Sequence, residues 1–138
     1  MNIRFYIKFI VCLLITQFAF ADVVDVNNKQ ILELSKINTP IVDVRSISEW
    51  EQTGVIPDSI LLTFFDKEGN YDLDEWYKNL LLEVSEGEPL ILICISGNRS
   101  RIIAEMMDTK FDNVIYNAQR GITSWIDGKL IIVKPQIN

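Results

Sequence analysis

Leu90-Ile91-Leu92-Ile93-Cys94-Ile95-Ser96-Gly97-Asn98-Arg99-Ser100 decides the fold. Four apolar residues run straight into a cysteine. A loop with one glycine follows, then an arginine and the first residues of a helical pattern. Such an order predicts a buried strand that ends in a thiol, and a loop that feeds a helix N-terminus. The free N–H groups and the dipole at that junction favour negative charge. A sulfur placed there is favoured as thiolate, the form that attacks. The arrangement suits a cysteine nucleophile that holds an anion during its reaction.

Outward from this stretch the pattern alternates strand and helix. Val23 to Val26 reads as a short strand, and Asn27 or Asn28 caps a helix running through Lys36 with Ile31, Leu32 and Leu34 on its apolar side. Pro40 precedes a second strand, Ile41 to Val44. Ser46 caps a short helix containing Glu49 and Trp50, which Gly54 stops. Ile60 to Thr63 reads as a third strand, and Gly69-Asn70 as a turn. Leu73 to Val84 has Leu73, Trp76, Tyr77, Leu80, Leu81 and Val84 on one helical face. After the Leu90 to Ile93 strand, a helix from about Arg99 to Met107 turns Ile102, Ile103 and Met106 inward. Val114 to Tyr116 is a fifth strand and Ile122 to Asp127 a last short helix. The tail, Leu130 to Val133, is apolar enough to pack on the domain. Short apolar strands separated by helices predict a parallel sheet covered on both faces. In such sheets the site lies beyond the carboxyl ends of the strands, which is where Cys94 falls.

Residues 1–21 are expected to be a cleaved secretory signal peptide. Arg4 and Lys8 start it, Phe9 to Phe20 is mostly apolar, and Ala19-Phe20-Ala21 is a cleavage site. The apolar run is short for a membrane span. Residues 22–138 then form a single domain in the periplasm or outside the cell, with no stable membrane association after cleavage. Loss of Arg4 and Lys8 takes the formal charge from −6 to −8, which disfavours nucleic acid as a partner. Of two cysteines, Cys12 leaves with the signal. Cys94 is then alone, in a compartment where disulfides form readily, and a thiol–disulfide exchange mechanism lacks its resolving partner. The chain has no histidine. Ser-His-Asp and Cys-His catalysis are therefore excluded, along with any histidine metal site.

Three blocks resemble the rhodanese family of sulfurtransferases. The first is Ile41-Val42-Asp43-Val44-Arg45 with Glu49-Trp50 and Gly54-Val55-Ile56-Pro57-Asp58-Ser59-Ile60, similar to the family's D-x-R…E-[FYW]…G-H-I-P-G-A segment. The second is Cys94 to Ser100, similar to the active-site loop. The third is Tyr116-Asn117-Ala118-Gln119-Arg120-Gly121-Ile122 through Trp125, close to N-x-x-G-G-[IV]-x-x-W. Departures are Val55 for histidine, Asp58 for glycine, Arg120 for the first glycine of the third block, and Ile95 at a loop position that is often arginine.

The resemblance implies a three-layer α/β/α sandwich around a five-stranded, mainly parallel sheet. It implies transfer of sulfane sulfur from a small anionic donor such as thiosulfate to cyanide or a thiol, through a persulfide on Cys94, with no metal or organic cofactor. Arg99 is the expected cationic partner of Cys94. Ile95, Ser96, Gly97, Asn98 and Ser100 are expected to line the substrate, with Arg101 and Arg120 as further cations. Gly97 is expected at positive φ. Arg45 is expected to pair with Glu49 and brace the first block. Trp50, Trp76 and Trp125 read as core aromatics. Two other readings stay open: a phosphatase or arsenate reductase of the related cell-cycle phosphatase type, and a non-catalytic binding or sensor module. Loop length separates the first. Cys94 to Arg99 spans six residues, one fewer than the phosphatase relatives carry.

Overall fold

The computed structural model describes residues 23–137. The expected signal peptide, its Cys12 and its cleavage site lie outside the described residues. The elements alternate along the chain: β1 (Val24–Val26), α1 (Asn28–Lys36), β2 (Ile41–Asp43), α2 (Ile47–Thr53), β3 (Ile60–Leu61), α3 (Leu73–Leu80), β4 (Leu90–Ile93), α4 (Asn98–Asp108), β5 (Ile115–Ala118) and α5 (Gly121–Asp127). The five strands form one sheet in the order β1-β5-β4-β2-β3. Every pairing is parallel. β4 is central and its four residues are all buried, which is why it reads as an unbroken apolar run.

The two-residue period of β4 divides the core. Leu90, Leu92 and Cys94 face one side, where Trp76, Tyr77 and Leu80 of α3 and Ile103, Ala104 and Met107 of α4 cover them. Ile91 and Ile93 face the other, against Ile31 of α1 and Ile122 and Trp125 of α5, with Ile95 packed at the edge of that cluster. The three layers follow from this alternation. All three tryptophans are buried.

Some expectations need correction. β3 is two residues long, because past Leu61 the chain follows the end of β2 through Leu62 N–H to Asp43 O and Phe64 N–H to Val44 O. α3 stops at Leu80, although Val84 beyond it is still buried. Ile102 is half exposed, Met106 is partly buried against the core as expected, and Met107 is fully buried in addition. Leu32 is also largely outside. The tail pairs with the first block: Val55 and Val133 exchange N–H···O bonds of 2.9 Å each way.

Candidate active site

Cys94 follows the last residue of β4, is 1% exposed and is the free cysteine of the described residues. Two backbone donors converge on its sulfur, Gly97 N–H at 3.2 Å and Ser100 N–H at 3.4 Å, and the Ser100 hydroxyl oxygen lies 3.3 Å away with its one proton committed to Asn117. Gly97 sits at φ 92° and is the N-cap of α4, with no side chain capping that helix. The first N–H groups of a helix have no partner within it. Here the Ser100 N–H of that first turn is given to Sγ.

The loop holds this shape because α5 grips it from behind. Ile122 N–H donates to Cys94 O at 2.8 Å, Thr123 N–H to Ile95 O at 3.1 Å and Thr123 Oγ1 to Ile95 O at 2.9 Å. A trans peptide points its C=O and N–H in opposite directions. The N–H groups of Ile95 and Ser96 therefore face away from α5. The close approach needs Gly121: at φ 55°, a Cβ there would strike the Cys94 and Ile95 carbonyls. At Gly97 a Cβ would strike the carbonyls of Ala118 and Gln119.

A buried polar chain runs behind the sulfur. Ser100 Oγ donates to Asn117 Oδ1 at 2.6 Å, and Asn117 Nδ2 donates to Asp25 Oδ1 at 2.9 Å and to Gly97 O at 3.2 Å. Arg101 closes the chain on Asp25 Oδ2 at 2.6 Å. Burial pushes the Asp25 carboxyl up, but the Asn117 and Arg101 hydrogen bonds outweigh it and hold the group below its ordinary range. Asn117 and Asp25 were not among the expected site residues. For Asn117 the signal was a polar residue in a buried stretch of chain, which needs a partner to be tolerated there; Asp25, on the edge strand β1, carried no such mark.

The charged residues are arranged differently from the expectation. Arg45 does not pair with Glu49. It is wholly buried and its guanidinium lies on Asp43, with Nη2 at 2.7 Å and Nε at 2.9 Å. Residues two apart at a strand end share a face, so Asp43 reaches Arg45 first. The remaining Arg45 donors go to Thr53 Oγ1 at 2.7 Å and Gly54 O at 3.0 Å. Glu49 instead takes both Nη groups of Arg99, at 2.6 and 3.0 Å. The Arg99 hydrogen bond is the largest influence on Glu49 and, against the opposing effect of burial, brings its pKa down to about 2. The Arg99 guanidinium is held still more firmly protonated, chiefly by its bond to Glu49, with smaller contributions from Cys94 and Asp43.

The loop and helix start thus bring Cys94, Gly97 and Ser100 together, while the Arg99 side chain turns to Glu49. Ile95 lies beside them, but its side chain packs on the α5 side of the sheet. Ser96 and Asn98 are exposed at the rim. Arg101 points to Asp25 and Glu105, the latter at 3.3 Å. Arg120 is exposed at the start of α5, on the loop that contacts Gly97. Among the described residues no group of histidine, cysteine or acidic side chains is arranged to hold a metal ion.

The sequence matches the family model of the rhodanese-like domain over residues 27–127. No curated protein matches it. Among solved structures it is similar to a rhodanese-related protein from Thermoplasma volcanium, with 23% identity, a TM-score of 0.64, and coverage of 81% of this chain and 99% of that one. It is similar to a polysulfide-sulfur transferase homodimer from Wolinella succinogenes at 17% identity and TM-score 0.63, covering 85% and 82%. It is also similar to a Rhodopseudomonas palustris protein described as a possible tyrosine phosphatase, at 22% identity and TM-score 0.59, covering 80% and 85%. At these identities the likeness to the solved structures is one of fold.

Proposed function

The chain belongs to the rhodanese-like domain family, and from that premise we propose that it is a sulfurtransferase that carries sulfane sulfur as a persulfide on Cys94. The observation that carries this reading is the convergence of Gly97 N–H and Ser100 N–H on one sulfur, at 3.2 and 3.4 Å. In the first half-reaction the Cys94 thiolate attacks the outer sulfur of a donor. The new Sγ–S bond forms as the donor's own S–S bond breaks, and the electron pair leaves with the donor remnant. In the second, a nucleophilic acceptor such as cyanide or a thiolate attacks the outer sulfur, and the Sγ–S electron pair returns to Cys94. Both steps begin or end with a thiolate in the loop. Arg99 has both Nη groups on Glu49 and acts on the sulfur only through its charge at a distance.

A phosphatase would need the loop to embrace three oxygens of a tetrahedral anion. Backbone donors stabilise charge only at about 2.7–3.1 Å from the atom that bears it. With four residues between Cys94 and Arg99, the donors here close on the sulfur itself. The basic start, apolar run and Ala19-Phe20-Ala21 of the first 21 residues support an exported protein working in the periplasm or outside the cell. The test is a paired assay: formation of thiocyanate from cyanide and a sulfane donor, and hydrolysis of a small aryl phosphate. Thiocyanate formation that disappears in Cys94→Ser, with negligible phosphate release, is expected. Efficient phosphate release with no sulfur transfer would contradict the reading.

A further inference from the structure

The charges around Cys94 narrow the choice of donor. Resting on the sulfur-transfer reading, we propose that the donor is the persulfide of a thiol, R–S–SH, rather than a dianion such as thiosulfate. A dianion needs positive charge at the loop that is not already balanced. Ile95, Ser96, Gly97 and Asn98 carry none. Arg99 places both Nη groups on the Glu49 carboxylate at 2.6 and 3.0 Å, a two-toothed pair that uses up its fork. Arg101 is shared between Asp25 at 2.6 Å and Glu105 at 3.3 Å. Arg45 is sealed in the core against Asp43. Among the described residues that leaves Arg120 near the loop without an ion pair, exposed and screened by solvent. The whole chain adds 19 acidic groups to 13 basic ones, a field that repels a dianion as it approaches.

What the site does offer is partial charge for a single negative sulfur, through the two backbone N–H groups of Gly97 and Ser100. A persulfide donor matches that capacity. The Cys94 thiolate attacks the outer sulfur of neutral R–S–SH, the R–S bond to that sulfur breaks, and R–S⁻ departs with the electron pair while Cys94–S–SH remains. One negative charge enters the step and one leaves it. With thiosulfate the same attack brings three negative charges together and must expel sulfite past Glu49.

The test compares the rate of sulfur loading onto the full chain from thiosulfate and from cysteine persulfide, followed by intact mass. Cysteine persulfide is expected to load at least about 100-fold faster at equal concentration. Two variants should shift the ratio toward thiosulfate by about tenfold each, the scale of one added unit charge a few ångströms from the reacting atoms. Ser96→Arg adds a cation at an exposed rim position. Glu49→Gln frees the charge of Arg99 while a glutamine keeps the cap of α2. Equal or better use of thiosulfate by the unaltered protein would overturn the proposal, as would a ratio that neither variant moves. Loading from neither donor, with Cys94 still open to alkylation, would remove the sulfur-transfer reading and this inference with it.

Discussion

Two junctions of the same kind lie side by side at the carboxyl edge of the sheet. In one, β2 passes through Val44, Arg45 and Ser46 into α2. In the other, β4 passes through Cys94 to Gly97 into α4. The first is closed by its own side chains. Ser46 and Glu49 form a capping box, and Arg45 is buried against Asp43. The second is left open. Its N-cap is a glycine with no capping side chain, and the donors that a serine or aspartate would satisfy are turned to a sulfur. The ends of α1 and α3 resemble the first junction, with caps from Asn27 and Asp72. A strand–loop–helix joint is a scaffold when its helix start is capped from within. It becomes a site when the cap is withheld and a nucleophile is put in its place.

The largest predicted effect on stability separates the two arginines. Arg45→Ala strands the Asp43 carboxylate in the core, and breaking a buried pair in this way costs about 3–5 kcal/mol. Arg99→Ala removes half of a partly exposed pair, worth under about 1 kcal/mol to the fold, while slowing sulfur loading. Denaturant unfolding of the two variants beside loading rates measures both halves. A comparable loss of stability in both would erase the distinction between the junctions.

Gly97→Ala comes next. A side chain at φ 92° costs about 1–3 kcal/mol, and here its Cβ also meets the β5–α5 backbone. The loop must shift, so loading of Cys94 is expected to fall more than tenfold in protein that still folds. Retained loading would mean that the position of the Gly97 N–H is unimportant. Ser46→Ala is the matching change in the closed junction. Loss of a cap costs about 1 kcal/mol, with loading per folded molecule unchanged.

The smallest effect is on pH dependence. Glu49 has a folded pKa of about 2 against an ordinary 4.5, so it binds its proton less readily when folded. Its contribution to stability is complete above pH 4.5 and is lost as the pH falls toward 2. Glu49→Gln should flatten the loss of stability across that window and leave the neutral-pH slope as it was. An unchanged acid limb in urea unfolding curves would show that the Arg99–Glu49 pair does not persist in solution.

Much of this was legible from residue pattern alone. Asn27 and Ser46 announced two helix starts, and Leu90 to Ile93 announced the central strand, because local capping chemistry and full burial leave strong marks. The Cys94 loop and the positive φ of Gly97 were legible for the same reason. Pairings between elements were less so. A spacing of four suggested Arg45 with Glu49, but the strand brings Asp43 to Arg45, and the folded sheet brings Arg99 to Glu49 from 50 residues away. Asn117 was legible only as a residue of the third block, beyond a strand expected to end at Tyr116, whereas β5 runs on through it and Ser100, Asp25 and the Gly97 carbonyl share its side chain. Ile102 was misplaced because the buried face of α4 runs through Ser100, Ile103, Ala104 and Met107, spaced three and four apart, and Ile102 lies off it.

The most direct measurement is intact mass with site mapping, made on the protein after treatment with a sulfane donor and again after cyanide. The account predicts a gain of one sulfur on Cys94, its removal by cyanide with the original mass restored, and no gain in Cys94→Ser. A protein whose Cys94 can be alkylated yet gains no sulfur from either thiosulfate or cysteine persulfide would contradict it.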